Sequence, residues 1–197
     1  MRQLFFSFMI SVSFISLTGC GIQSLPQSKN AVDAALAEVQ NQYKRRSDLV
    51  PNLVEVVKGY ASHEKETLTS VIEARAKATQ THLSLNSASA KEVEQFQLAQ
   101  GSLTQALSRL MVVVEKYPNL KADQNFRDLS AQLEGTENRI TVARNRYIEA
   151  IQNFNNEVTV PPTSWTNSLI YHYEKLPQWD VSKEEKEKIQ KVPEVKF

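Results

Sequence analysis

Cysteine is nearly absent from this chain. Cys20 stands alone, so no internal disulfide framework can form. Glycine is scarce too, with five residues in 197. That argues against a turn-rich sheet protein and suits the plentiful Ala, Glu, Lys, Gln and Leu, which favour helices. No excess of one charge exists either. The net charge is +1, which gives no overall basic field, so nucleic acid is not favoured as a partner. Histidine is limited to His63, His82 and His172. His63-Glu64 opens like a helical zinc motif, but the place of the second histidine is taken by Thr67. A Gly-rich phosphate loop, a nucleophile elbow and a catalytic cysteine are all missing. These gaps speak against the common enzymatic constellations, and the sequence calls for no metal and no other cofactor.

An address label is present. Arg2 is a thin positive n-region and Leu4 to Leu17 an apolar stretch of secretory-signal length. It ends in Leu17-Thr18-Gly19-Cys20, which resembles a bacterial lipobox. In that motif the cysteine thiol receives a diacylglycerol, the chain is cut before it, and the new amino terminus is acylated. Residues 1–19 then read as a lipoprotein signal peptide and Cys20 as the membrane attachment. The rival reading is an uncleaved transmembrane anchor, since Leu4 to Ile22 approaches the ~20 apolar residues needed to span a bilayer. In a cell with two membranes, Gly21 rather than an acidic residue after Cys20 points to the outer one.

After this leader, residues 20–29 read as a lipidated tether, with Pro26 among small polar residues. Helical periodicity then runs through 30–160. The first stretch, about 50 residues long, places Val32, Val39, Leu53 and Tyr60 on one line, with Ala35, Leu49 and Val56 on a second. Leu36, Tyr43, Val50, Val57 and Val71 form a third. The phase is unchanged across Pro51, so one long helix bent at that proline is expected. The alternative is a break, with Asp48 capping a new helix. Ser89-Ala-Lys-Glu92 fits a capping box opening a second helix, with Phe96, Leu103, Leu110 and Tyr117 on one line and Val93, Leu107 and Val114 beside it. Asp123 reads as the cap of the third helix. Its seam is Phe126, Leu133, Ile140, Tyr147 and Phe154, widened by Leu129, Ala143, Ala150, Ile151 and Val158. Gly135 interrupts it, which a close helix approach would explain. Residues 161–197 form a separate tail, in which Ser182 to Glu185 would cap a short helix.

The expected fold class is therefore all-α, an elongated antiparallel bundle of three long helices, or four if the first is divided at Pro51.

Residues 45–78 (RRSDLVPNLVEVVKGYASHEKETLTSVIEARAKA) and 133–155 (LEGTENRITVARNRYIEAIQNFN) resemble the LemA family. So do KYPNLKADQNF at 116–126 and the ending PEVKF. The resemblance covers about residues 30–197. It implies an elongated helical bundle exposed outside the cytoplasmic membrane, tied down by its N-terminus, with no established enzymatic activity. Four departures stand out. A lipobox replaces the more usual membrane-spanning helix. Leu36 stands where an aromatic residue is frequent, Ile148 where an Asn usually follows the tyrosine, and Val160-Pro161 where Phe-Pro is common.

The candidate polar site lies around Pro51: Arg46, Asp48, Pro51 and Asn52, with Asn145 and Glu149 from the third helix. Arg46 interrupts the line Val32–Val39–Arg46–Leu53–Tyr60, so it points coreward and needs a partner. Asp48 cannot easily serve, because i,i+2 residues face apart. Glu149, Asn145 or the Ser47 carbonyl freed by Pro51 are the partners considered. Equally open is a stem-buried Arg46 whose head reaches water. Arg139, Arg144 and Arg146 form either a site for acidic partners or lipid headgroups, or a solvated helix face. Trp165, Tyr171, Tyr173 and Trp179 form either an exposed or membrane-contacting edge, or pins holding the tail to the bundle. The expected function is a non-enzymatic, membrane-anchored envelope protein that presents a surface to an unknown envelope partner. An adaptor for a membrane protease or an envelope-stress pathway is the second reading, and a ligand-binding or enzymatic bundle the third.

Overall fold

A computed structural model describes residues 19–81, 83 and 89–179. The order is α1 (Gly19–Tyr60), α2 (Lys65–Gln80), α3 (Ala90–Val114), the single-turn α4 (Pro118–Ala122), α5 (Gln124–Thr159) and α6 (Thr163–Thr166). The last continues as a π-helical turn over Asn167–Tyr171. No strand occurs among the described residues. The fold is thus an all-α bundle.

Its antiparallel register can be followed by four side-chain pairs. Ser28 meets Glu157, Glu38 meets Arg146, Arg46 meets Glu137 and Tyr60 meets Asp123. As one helix is climbed the other is descended, so α1 and α5 are zipped along most of their length. The shorter α2 and α3 form a second antiparallel pair laid on the far part of the first.

The seams predicted from periodicity are the buried ones, except at Tyr60, which was placed on a buried line but is exposed and donates to Asp123. Phe126, Leu133, Ile140, Tyr147 and Phe154 of α5 are all buried, as are Val93, Phe96, Leu103 and Leu110 of α3. Fully burying such a side chain contributes roughly 1.5–3 kcal/mol. The caps match as well. Ser89 Oγ accepts from the Glu92 amide at 3.3 Å while Glu92 Oε2 accepts from the Ser89 amide at 2.8 Å. Asp123 Oδ1 accepts from the Phe126 amide at 3.0 Å.

Helix α1 runs unbroken through Pro51, so Asp48 caps nothing and lies exposed within it. Three further expectations fail. The first stretch does not continue to residue 80. The chain turns at Ala61–Glu64, with the Ala61 amide donating to Val57 O and the Glu64 amide to Ala61 O. The turn preserves the seven-residue phase, which is why periodicity ran through it, but the line Val50–Val57–Val71 has Glu64 where an apolar residue was due. Residues 21–29 are helical rather than a loose tether, because Leu25 is fully buried and continues the α1 stripe downward. Gly135 marks no close helix approach; a Cβ there would meet only the Arg139 guanidinium, at 3.6 Å. Residues 182–185 and 193–197 lie outside the described residues.

Two apolar clusters fill the bundle. The far one joins Val50–Val57 of α1, Ala61, Leu68–Ala78, Leu103–Val114, Leu120, Phe126 and Leu133. The near one, at the α1 N-terminus, joins Leu25–Tyr43, Leu83, Val93, Phe96 and Ile140–Val158. Arg46 lies between them.

Candidate functional site

Arg46 is 2% exposed. Its Nη1 donates to Glu137 Oε2 and to Thr104 Oγ1, both at 3.0 Å. Its Nη2 donates to Gln100 Oε1 at 2.8 Å and to the Gln100 carbonyl at 3.3 Å. The guanidinium sits 5.1 Å from the centre of the Tyr43 ring, a cation–π contact within the cluster boundary. Gln100 in turn donates through Nε2 to the Ala78 carbonyl at 3.1 Å. One arginine of α1 therefore reaches α3 and α5 directly, and α2 through Gln100.

The buried-pair reading holds over the snorkelling one, but the partners differ from those expected. Glu137 and Gln100 take the places proposed for Glu149 and Asn145. The latter two are exposed, and Glu149 lines a shallow groove beside Ser28 and Glu157. Two helical turns separate residues 137 and 145 on α5, so the register of the α1–α5 pair puts Glu137, not Asn145, opposite Arg46. Asp48 and Asn52 are exposed and join no part of the network.

Pro51 leaves the Ser47 carbonyl without its helical amide partner. Arg75 Nε supplies the missing donor at 2.8 Å. The freed carbonyl thus binds an arginine from α2, not Arg46. A second case repeats the arrangement. Pro26 strips the Ile22 carbonyl in the same way, and Tyr171 Oη donates to it at 2.7 Å. Both α1 prolines are answered by a side chain from another element, which converts a helix defect into a tertiary contact.

The signal for Gln100 and Thr136 was present as gaps. The line Val93–Leu107–Val114 skips residue 100, and Leu129–Ala143–Ala150 skips residue 136. Arg46, Gln100 and Thr136 are each buried polar interruptions of an apolar seam. Polar residues in three seams mark one layer where two apolar clusters meet. Arg75 and Glu137 carried no such mark, since each has an ordinary surface-helix neighbourhood.

The other candidates separate. Arg146 binds Glu38 at 3.0 Å and Arg139 donates to Thr136 Oγ1 at 3.0 Å. Arg144 lies by Tyr43, whose phenol burial pushes up while Arg144 and Arg46 pull it back. These arginines are distributed over neighbours instead of forming one basic patch. His63 is exposed in the α1–α2 turn, and Glu64 accepts from Tyr117 Oη at 3.2 Å. Thr67 lies in α2. No group of three potential metal ligands occurs among the described residues.

Tyr171, Tyr173 and Trp179 pack on the near cluster, with Trp179 edge-on to Phe96 and Tyr147. Two asparagines hold the tail there. Asn155 exchanges two hydrogen bonds with the Leu176 backbone, and Asn167 two with Tyr173. Trp165 departs from this group and is 64% exposed. Among the described residues, no helix is long and apolar enough to cross a membrane; Cys20 lies in the first turn of α1.

Comparison with known proteins adds three likenesses. The sequence model of the LemA family matches residues 35–197. Protein LemA of Metamycoplasma hominis is 25% identical over 167 residues, 84% of this chain and 70% of that protein. Magnetosome proteins MamQ 1 and MamQ 2 of Paramagnetospirillum magneticum are each 34% identical over 67 residues, which is 34% of this chain and 25% of theirs.

Proposed function

This chain belongs to the LemA family, and from that premise we propose that it is a non-enzymatic envelope protein. It is lipid-anchored through Cys20, and its bundle is a scaffold for another envelope protein. The observation that carries this reading is the direction of the polar chemistry. The most deeply buried charged group, Arg46, is spent on Glu137, Gln100 and Thr104 of its own chain. Such a network fixes the mutual positions of α1, α3 and α5, which is what a rigid presenting surface requires. The exposed faces of the long helices are then left for a partner. The Leu17-Thr18-Gly19-Cys20 sequence supports the anchor.

The test uses full-length chain in bacterial cells. Cys20→Ser should release the protein from the membrane fraction. Attachment unchanged by that substitution refutes lipidation in favour of an uncleaved apolar anchor. Crosslinking followed by pull-down of the membrane-attached form should recover a defined envelope protein. Recovery of no crosslinked species above a mock control argues against a scaffold.

A further inference from the structure

The near end of the bundle has an unusual surface. Ile22, Val160, Trp165, Leu169 and Ile170 are all exposed there, Leu169 at 79%. Other large exposed apolar side chains are spread along the shafts: Tyr60 on α1, Ile72 on α2, Leu98 and Val112 on α3, Val142 and Ile148 on α5. The end group is held together. Tyr171 Oη bonds the Ile22 carbonyl, and Thr163 Oγ1 donates to the Glu157 and Val160 carbonyls at 2.7 and 2.9 Å. Trp165, Leu169 and Ile170 thus form a cap across the ends of α1 and α5.

This end also lacks charge. No Asp, Glu, Lys, Arg or His occurs in residues 3–28 or 158–171. Charges begin at Lys29 and Glu157, level with one another on the two helices, as the Ser28–Glu157 hydrogen bond shows. An apolar cap with a tryptophan, free of charge for roughly 10 Å along the axis, has the composition of a surface that lies at a bilayer interface. The chain supplies the reason it would meet one. The apolar run Leu4 to Leu17 and Cys20 immediately precede this end.

We propose that the Ile22–Val160–Trp165–Leu169–Ile170 cap is a lipid-contacting foot that inserts into the interface of the bilayer holding the N-terminus. It rests on the membrane anchorage proposed above. Anchor and foot together give two attachments. The first holds the chain; the second sets the bundle upright instead of leaving it to pivot on one point. Serine and threonine at 163, 164, 166 and 168 meet the headgroups, while the indole of Trp165 takes the level where aromatic side chains collect.

The test reads Trp165 alone, in full-length Trp179→Phe chain reconstituted into phosphatidylcholine vesicles with or without brominated acyl chains. Flotation reports attachment and circular dichroism reports folding. The foot predicts that bromine quenches Trp165, because its indole would sit at the level where aromatic side chains collect. Leu169→Glu in the same background, at an exposed position that the core does not use, should cut that quenching by more than half while flotation persists. Failure to float refutes the anchorage and the foot with it. Flotation with Trp165 unquenched refutes the foot alone. Trp165 unquenched by bromine yet shielded from acrylamide also overturns it, by showing that protein covers the cap. Should Trp179→Phe lose helicity, wild-type chain and the Trp165→Phe variant are compared instead; the bromine-sensitive part of the emission must vanish with Trp165.

Discussion

The two ends of α1 are buried by different means. Beyond Arg46, the buried side chains from Val50 to Ala61 are covered by α2, α3, α5 and Leu120 of α4, so helix packs on helix. Before it, Leu25 to Tyr43 face α5, and the remaining cover comes from Leu83, the start of α3 and the tail aromatics Tyr171, Tyr173 and Trp179. The far end relies on side chains at helical spacing. The near end relies on an irregular strap, and that strap is held by asparagine amides that do for its backbone what a helix does for itself. A half closed by helices and a half closed by a strap should differ in how they come apart.

The largest test removes one large side chain from each half. Phe154→Ala and Leu110→Ala should each cost about 2–5 kcal/mol, read by urea unfolding. Hydrogen exchange then separates them. Phe154→Ala should speed exchange in Leu25–Tyr43 and the end of α5 while α2 and α3 keep wild-type rates. Equal acceleration in every helix would show a single cooperative core and erase the distinction.

The boundary layer comes next. Arg46→Met leaves the buried Gln100 side-chain oxygen without its donor and should lower stability by about 1–3 kcal/mol. Glu137→Gln should cost less than half of that. The residue is 50% exposed at its side chain, and an amide oxygen still accepts from Arg46. An Arg46→Met variant as stable as the wild-type chain would make the layer dispensable.

The two prolines give a matched pair. Arg75→Met strands the Ser47 carbonyl in a buried setting and should cost about 1–3 kcal/mol. Adding Pro51→Ala restores an amide to that carbonyl, so the double variant should recover a measurable part, a coupling visible in a double-mutant cycle. Tyr171→Phe with Pro26→Ala should show the same sign with a smaller size, because Ile22 is half exposed. Strict additivity in both cycles would mean the donors do not answer the prolines.

Acid and alkali give the smallest effects. Burial pushes the Tyr147 phenol up to about 12, with Asp33 adding to it. The folded state therefore holds this proton more tightly than the unfolded chain. Its contribution is complete below the ordinary value near 10 and is lost as pH rises toward about 12. At the far end, the Phe126 amide and then Tyr60 hold the Asp123 carboxyl below its ordinary value. Its contribution is present above that value and fades as pH falls through the depressed one. Tyr147→Phe should flatten the alkaline loss of helicity, and Asp123→Asn the acid one. Unchanged pH profiles would remove these groups from the account.

Most of the helix pairing could be read beforehand, because apolar residues at seven-residue multiples have one face to bury. Phe126 to Phe154 are an example. The Ala61–Glu64 turn could not, since it preserves that spacing and contains neither proline nor a cap with a side-chain bond. Only Glu64 on an apolar line gave it away. Arg46 was legible as a misfit, but its partners were not. Choosing Glu137 over Asn145 or Glu149 needs the register between α1 and α5, and nothing local to either helix sets it. The strap was the least legible part. Asn155 and Asn167 act on backbone amides, and a backbone amide carries no sequence signature.

Helix α1 has one further consequence. Its 42 residues rise without a break from Gly19 to Tyr60, which makes it about 63 Å long. Under the anchorage proposed above, such a helix is a fixed measure of height. Whatever engages the turn at Ala61–Glu64 would have to reach about that far from the bilayer. Shortening α1 by two turns, with a matching deletion in α5, would lower that meeting point by ~11 Å and leave every surface residue at the tip unchanged.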